Sequence, residues 1–298
     1  MKTMHYPDFF LIGAMKAGTT SLYHMLEHHP KIFLSYPKEP EYFSEKFLQE
    51  GAESWYQSLF QNSDPDSLLG ECSTGYSRSV CYPYVAERIQ SVKPSARIIY
   101  LLRHPVERCW SHYLHRMNEH AMAGEPVLEF CDAIEAYPEI LDASRYFKQI
   151  SNFTTLFDRS QIHIILFDDL RNSAESTMNR LYDFLGLPHI GVASLIHANR
   201  AGDQTGRRHF KSVLNNFKKS IMGKVLKIIF PRQFLRWLSK QTSRNKYVIY
   251  IAKNIHKTVD LPKQPDSDTR QKLLAYFYDE TVALEQWLGR ELPPSWKV

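Results

Sequence analysis

The run Gly13-Ala14-Met15-Lys16-Ala17-Gly18-Thr19-Thr20-Ser21-Leu22 has the residue types of an anion-binding loop. It follows the apolar stretch Phe9-Phe10-Leu11-Ile12 and leads into a helical pattern. A strand-to-helix junction presents unpaired backbone N–H groups and the positive end of a helix dipole. Together these bind phosphate-like groups. Gly13 and Gly18 let the backbone approach closely, Lys16 adds a cation, and Thr19, Thr20 and Ser21 add hydroxyls. A nucleoside triphosphate loop places Lys directly after the second Gly, where this chain has Thr19. The carboxylate that would hold magnesium is also missing, because the strand at 97–102 runs into Arg103. A degenerate triphosphate site and a plain Gly-rich turn with a solvent-facing Lys16 stay open as alternatives.

A second group of chemically useful residues is Arg103-His104-Pro105-Val106-Glu107-Arg108-Cys109-Trp110-Ser111. Pro105 is suited to open a helix. Arg103 then sits at the end of a strand and Ser111 about two turns along the next helix. A guanidinium fork and a hydroxyl on neighbouring elements can clamp a second phosphate. Taken alone, Arg103 reads equally well as one half of a surface ion pair.

The elements that must position these residues are legible from periodicity. Five β-branched and aromatic runs read as strands: Phe9–Gly13, Ile32–Ser35, Leu68–Cys72, Arg97–Leu102 and Gln161–Phe167. Those at 98–102 and 162–166 are almost continuously apolar, the mark of strands covered on both faces. Helical patterns lie between them at Thr19–His29, Tyr82–Val92, Val106–Glu119 and Ser173–Leu185, the last stopped by Gly186. A further amphipathic helix is expected at Asp266–Gly289. Strands alternating with helices predict an α/β fold, a P-loop-like central parallel sheet flanked by helices. Ligands of such sheets sit at the carboxyl ends of the strands. We expect one domain over 1–298, with a helical cap or lid at about 200–265 in the C-terminal third.

The 298 residues carry a net charge of +5, but the charge is uneven. Residues 204–259 hold fourteen Lys and Arg and no Asp or Glu, while the remainder holds 23 basic and 32 acidic residues. The basic stretch interleaves Phe217, Ile221, Leu226, Phe234 and Trp237 with its cations, as a basic amphipathic helix does. It reads as a solvated cap, as a peripheral contact with an anionic membrane surface, or as a region that steers an acidic glycan or the nucleotide. No recognised motif accompanies the charge, so nucleic acid is not an expected partner. Cys72, Cys81, Cys109 and Cys131 form no C-x-x-C pair, so no metal is expected. Their scatter fits reduced thiols. No apolar run reaches the length of a membrane span, and the expectation is a cytoplasmic protein, with the membrane surface as a peripheral alternative.

The phosphate loop and the Arg103–Ser111 segment together resemble the sulfotransferases that use 3′-phosphoadenylyl sulfate. Pro37-Lys38-Glu39-Pro40-Glu41-Tyr42-Phe43 is similar to a stretch of the heparan-type and bacterial branch. Further matches are Gly70-Glu71-Cys72-Ser73, the Tyr146 region, Phe167-Asp168-Asp169-Leu170 and the closing Leu288-Gly289-Arg290-Glu291-Leu292. The resemblance spans nearly the whole chain and is weakest over 201–263. It implies 3′-phosphoadenylyl sulfate as donor co-substrate, with no metal. The backbone of Ala17, Gly18, Thr19, Thr20 and Ser21 would hold the 5′-phosphate, and Arg103 and Ser111 the 3′-phosphate. Lys16 would stabilise the leaving group and Glu39 would act as general base. The implied acceptor is an alcohol or amine on a carbohydrate, glycolipid or other small molecule.

Three positions depart from the branch pattern. Glu41 stands where a His is usual, Cys72 stands where a Lys contacts the glycan, and the late Gly-rich loop has no clean match. Arg207 is the candidate for that loop's contact. The competing readings are a kinase-like nucleotide phosphotransferase and a non-catalytic nucleotide- or membrane-binding protein of the same fold.

Overall fold

In a computed structural model of the chain, the structure describes residues 6–191 and 261–297. Its centre is a five-stranded, all-parallel sheet of β1 (Phe9–Leu11), β2 (Ile32–Leu34), β3 (Leu68–Cys72), β4 (Arg97–Leu102) and β5 (Ile162–Leu166). The strands lie in the order β2-β3-β1-β4-β5. Every strand is where the apolar runs predict it; β3 and β4 have the expected bounds, and β1, β2 and β5 are shorter by one or two residues. β1 ends early because Gly13 and Ala14 turn into the loop, yet both still bond to Leu101: its N–H donates to the Gly13 carbonyl (2.9 Å), and Ala14 donates back (2.7 Å).

The helices are α1 (Thr19–Glu27), α2 (Ala52–Ser58), α3 (Val85–Val92), α4 (Pro105–Ala123), α5 (Phe130–Ala136), α6 (Glu139–Asp142), α7 (Tyr146–Thr154), α8 (Phe167–Asn172), α9 (Ala174–Leu185) and α10 (Ser267–Leu288). α9 stops at Gly186, whose φ of 69° is left-handed and whose N–H returns to the helix. α10 starts at Asp266, whose side chain accepts from the Thr269 N–H at 2.8 Å.

Burial explains the layering. Phe9, Phe10, Leu11, Ile98, Ile99, Tyr100, Leu101 and Leu102 are all fully buried, so β1 and β4 are covered on both faces. Each fully buried side chain of this size contributes about 1.5–3 kcal/mol. An aromatic cluster of Phe10, Tyr42, Phe43, Tyr56 and Tyr76 packs with Tyr42 stacked on Tyr56 at 4.2 Å between centroids.

Residues 6–115, 128–191 and 262–297 make one compact unit. The described residues 116–127, the end of α4 and the loop after it, belong to a second unit. The basic cap expected at about 200–265, and with it Arg207, lies outside the described residues apart from 261–265.

Candidate active site

All five strands deliver residues to one cavity of about 520 Å³ at their carboxyl ends. The loop after β1 brings Lys16, Gly18, Thr19, Thr20 and Ser21. Glu39 comes from the segment after β2, Thr74 from the turn after β3, and Phe167 from the end of β5. Arg103 ends β4, and Ser111 and His115 follow along α4. β1 sits between β3 and β4 in the sheet. The loop after it therefore reaches Thr74 on one side and Arg103 on the other, the crevice where ligands of such sheets bind.

Gly18 caps α1 with φ 98°, a left-handed backbone that a side chain strains. A Cβ there would also come within 2.8 Å of the Phe167 ring. No side chain caps α1, and Gly18, Thr19 and Thr20 at its start line the cavity at the positive end of its dipole. Ala17 is fully buried, and its N–H donates to the Ala14 carbonyl at 3.0 Å. The Ser21 N–H donates to the Gly18 carbonyl at 3.0 Å, while its side chain lines the cavity.

Arg103 is pre-oriented. Nε and Nη2 donate to Glu107 one turn later at 3.2 and 3.0 Å, and the guanidinium lies 5.8 Å from the Phe167 ring centroid. Nη1 reaches the Lys16 carbonyl at 3.4 Å, tying β4 to the loop after β1. The Tyr146 hydroxyl donates to the Arg103 carbonyl at 2.6 Å, which fixes where the strand ends. Ser111 is one turn before His115 on the same face of α4.

Behind the loop lies Arg108, fully buried. Its Nη1 donates to the Met15 carbonyl at 3.5 Å and approaches His112 Nδ1 at 3.2 Å. Its Nε donates to Ser144, and Nη2 to the Ile140 carbonyl.

Glu39 has φ 60°. The Thr74 hydroxyl donates to its Oε2 at 3.0 Å, and Lys38 pairs with Oε1. Its backbone N–H is fixed to the Cys72 carbonyl at 2.9 Å. Glu41, two residues on, points away from the cavity. It accepts from the Gly75 N–H at 2.9 Å and the Ser44 hydroxyl at 2.7 Å. Gly75 is required for this, since a Cβ there would lie 2.2 Å from a Glu41 oxygen. Burial raises the Glu41 pKa.

Underneath is Glu71, fully buried, accepting from the hydroxyls of Tyr56 and Ser73. Burial pushes its pKa up to about 7 against the hydroxyl bonds that pull it down. Ser73 in turn accepts from the Glu41 N–H at 3.1 Å. The neighbouring Cys72 thiol is buried and its pKa raised by that burial.

The cavity thus gathers Lys16, Gly18, Thr19, Thr20, Ser21, Glu39, Arg103 and Ser111 from the sequence reading. Thr74, His115 and Phe167 were not singled out as site residues there. Chemically the arrangement combines a helix N-terminus, two basic side chains and one carboxylate held by a hydroxyl. Among the described residues, no cluster of His, Cys, Asp and Glu could hold a metal ion, and no helix is long and apolar enough to cross a membrane.

Comparison with known proteins identifies the family and the fold. Residues 7–190 match the profile described as "Sulfotransferase family". A membrane-associated sulfotransferase, kil1 of Dictyostelium discoideum, is 25% identical, with 76% of this chain and 66% of that protein aligned. The bifunctional heparan sulfate N-deacetylase/N-sulfotransferase 4 of Mus musculus is 30% identical, over 64% of this chain and 24% of that protein. The chain therefore spans about two thirds of the first relative's length and a quarter of the second's. The crystal structure of a sulfotransferase from Alicyclobacillus acidocaldarius superposes with a TM-score of 0.64 at 21% identity, covering 99% of this chain and 100% of that one. That similarity establishes the fold.

Proposed function

The chain belongs to the sulfotransferase family, and from that premise we propose that it transfers a sulfonyl group from 3′-phosphoadenylyl sulfate to a hydroxyl or amine of a carbohydrate or related acceptor. One observation carries the reading: Lys16, the start of α1, Arg103, Ser111 and Glu39 all line the same cavity. The residues suit such a donor. The uncapped α1 with the hydroxyls of Thr19, Thr20 and Ser21 matches one phosphate group, and the Arg103 fork with Ser111 matches another.

The donor supplies the sulfonyl group, and adenosine 3′,5′-bisphosphate leaves. The roles proposed for this chain's residues are supported by their positions in the cavity. Glu39, oriented by Thr74 and Lys38, takes the proton that the acceptor oxygen or nitrogen loses as its bond to sulfur forms. Lys16 offsets the negative charge that accumulates on the departing phosphate oxygen as the sulfur–oxygen bond breaks. Arg103 and Ser111 hold the far end of the nucleotide and set the distance at which the sulfur faces Glu39.

The acceptor class rests on relatives whose names point to glycans, heparan sulfate among them and a carbohydrate sulfotransferase, number 15 of Homo sapiens, 26% identical. Cys72 is fully buried and stands where the heparan-type pattern has a glycan-contacting Lys, which argues for a less acidic acceptor than heparan. The basic stretch at 204–259 would assist either by drawing in the nucleotide or by resting on an anionic surface.

Calorimetric titration with adenosine 3′,5′-bisphosphate in EDTA, beside ATP with magnesium, tests the donor. Tight bisphosphate binding, weakened roughly tenfold or more by Arg103→Ala, is the expected result. Binding of magnesium ATP with none of the bisphosphate would replace this reading with a kinase-like phosphotransferase.

A further inference from the structure

We infer that a second cavity, on the open edge of β5, is a separate site for a tetrahedral oxyanion: free sulfate or phosphate, or the sulfate ester of a sugar. The cavity holds about 210 Å³ and shares no lining residue with the one described above. β5 is the last strand of the sheet, and residues Ile162 to Ile165 form one wall.

Three guanidinium groups reach the cavity from three different elements. Arg159 comes from the turn before β5, Arg180 from α9 and Arg290 from just after α10. The one carboxylate lining it is Asp169, paired with Arg290 at 3.1 Å. The balance is two positive charges in a small concave space. Like charges brought together this way repel, and an anion between them relieves the repulsion.

The cations are also held in place. Arg159 lies 4.2 Å from the Trp287 ring centroid and donates to the Ile162 carbonyl at 2.9 Å. Arg180 donates to Thr177 Oγ1 at 3.2 Å. Each of these contacts uses only part of the five donors a guanidinium carries, so the rest remain for a ligand with several acceptor oxygens.

His163 completes the wall. It stacks on Phe184 at 4.9 Å between centroids. Its pKa is lowered to about 4, first by burial and then by Arg180, Arg159 and Arg290. The imidazole is therefore neutral, and it lines the cavity together with all three arginines. Asp169 follows Phe167 by two residues on α8, so the same short helix lines both cavities. This inference stands whatever the chemistry of the first cavity.

Calorimetry on the full chain tests it, in a Lys16→Ala/Arg103→Ala background so that anion binding at the first cavity is suppressed whether or not that cavity takes a nucleotide. Sodium sulfate, sodium phosphate and N-acetylglucosamine 6-sulfate are titrated separately at constant ionic strength. One equivalent should bind, and Arg180→Ala/Arg290→Ala should weaken it on the order of tenfold or more. Should the alanine variant fail to fold, Arg180→Lys/Arg290→Lys is used instead; it keeps the charge but loses the forks, and a several-fold weakening is expected. Tighter binding of the sugar sulfate than of free sulfate identifies the ligand as a sulfated glycan, and the reverse order identifies the free anion. Unchanged binding in the variants, or none in the parent, overturns the inference. Self-association of the alanine variant without any anion binding overturns it too, because the arginines would then be guarding the β5 edge from pairing with another strand.

Discussion

The Thr74 hydroxyl donates a 3.0 Å hydrogen bond to Oε2 of Glu39, joining the turn after β3 to the segment after β2. The two residues are 35 positions apart, and the parallel pairing of β2 with β3 brings them together. This bond aims the carboxylate proposed to take the acceptor's proton. Glu39→Gln should lower kcat by about 10²–10⁴-fold. Thr74→Val should lower kcat roughly ten- to hundredfold, from the ~1.5–3 kcal/mol of a hydrogen bond to a charged group. Thr74→Ser should restore most of that loss. Steady-state kinetics with donor and acceptor each varied at saturation of the other separate these effects, and a rise in donor KM with unchanged kcat would remove Thr74 from this role.

Gly18 is a tight point of the loop after β1, packed against the Phe167 ring. Gly18→Ala places a methyl group 2.8 Å from the Phe167 ring on a backbone at φ 98°. The expected cost is about 1–3 kcal/mol of backbone strain, plus displacement of the α1 N-terminus. Bisphosphate affinity should fall more than the urea midpoint does. Phe167→Leu added to Gly18→Ala should recover part of the affinity, since it relieves the clash and leaves the strain. No recovery at all would mean that the ring contact is immaterial.

Arg108 braces the loop from inside. Arg108→Met leaves Ser144 and the carbonyls of Ile140 and Met15 without their donor. Buried groups left unpaired cost about 1–3 kcal/mol each, so unfolding in urea should show a loss of roughly 2–4 kcal/mol. Arg108→Lys should recover only part, because one ammonium cannot reach three separate partners in a fork geometry. A lysine variant as stable as the parent would show that charge alone suffices.

Glu71 gives the fold a pH dependence. Its carboxyl has an ordinary value of 4.5 in the unfolded chain and about 7 when folded, because burial disfavours its charge. Between those values the folded state keeps a proton that the unfolded state has lost. Stability from this group is therefore complete below about pH 4.5 and is lost as pH rises through about 7. The shift corresponds to roughly 3 kcal/mol. Glu71→Gln, which cannot ionise, should be more stable than the parent at pH 8, and the advantage should vanish towards pH 4.5. Parallel stability curves for the two proteins across that range would assign Glu71 a normal titration.

Much of this site was legible in the sequence because its parts are local. The phosphate loop, the Arg103-to-Ser111 spacing and the strand ends each occupy one short stretch with its own pattern. Thr74, His115 and Phe167 were not legible as partners, because only the order β2-β3-β1-β4-β5 brings them into one crevice. The direction of Glu41 was equally hidden. Glu41 stands where the family pattern has a His, and the space left by Gly75 lets its carboxylate turn inward. Arg108 reads as a helix-surface cation until α6 and the Ser144 hydroxyl are seen to enclose it.

The strand order has a kinetic consequence. The cavity needs the carboxyl ends of β1 and β4 side by side, and their register pairs Phe9 with Arg97 and Leu11 with Ile99, 88 positions apart. Such distant pairing pays its loop-closure entropy before any contact rewards it. This cavity thus cannot exist on a nascent chain until β4 has emerged, nor on any fragment that ends before it. Ligand capture would report completion of the sheet's centre, and a nucleotide present during refolding would act on the finished sheet and not on its precursors.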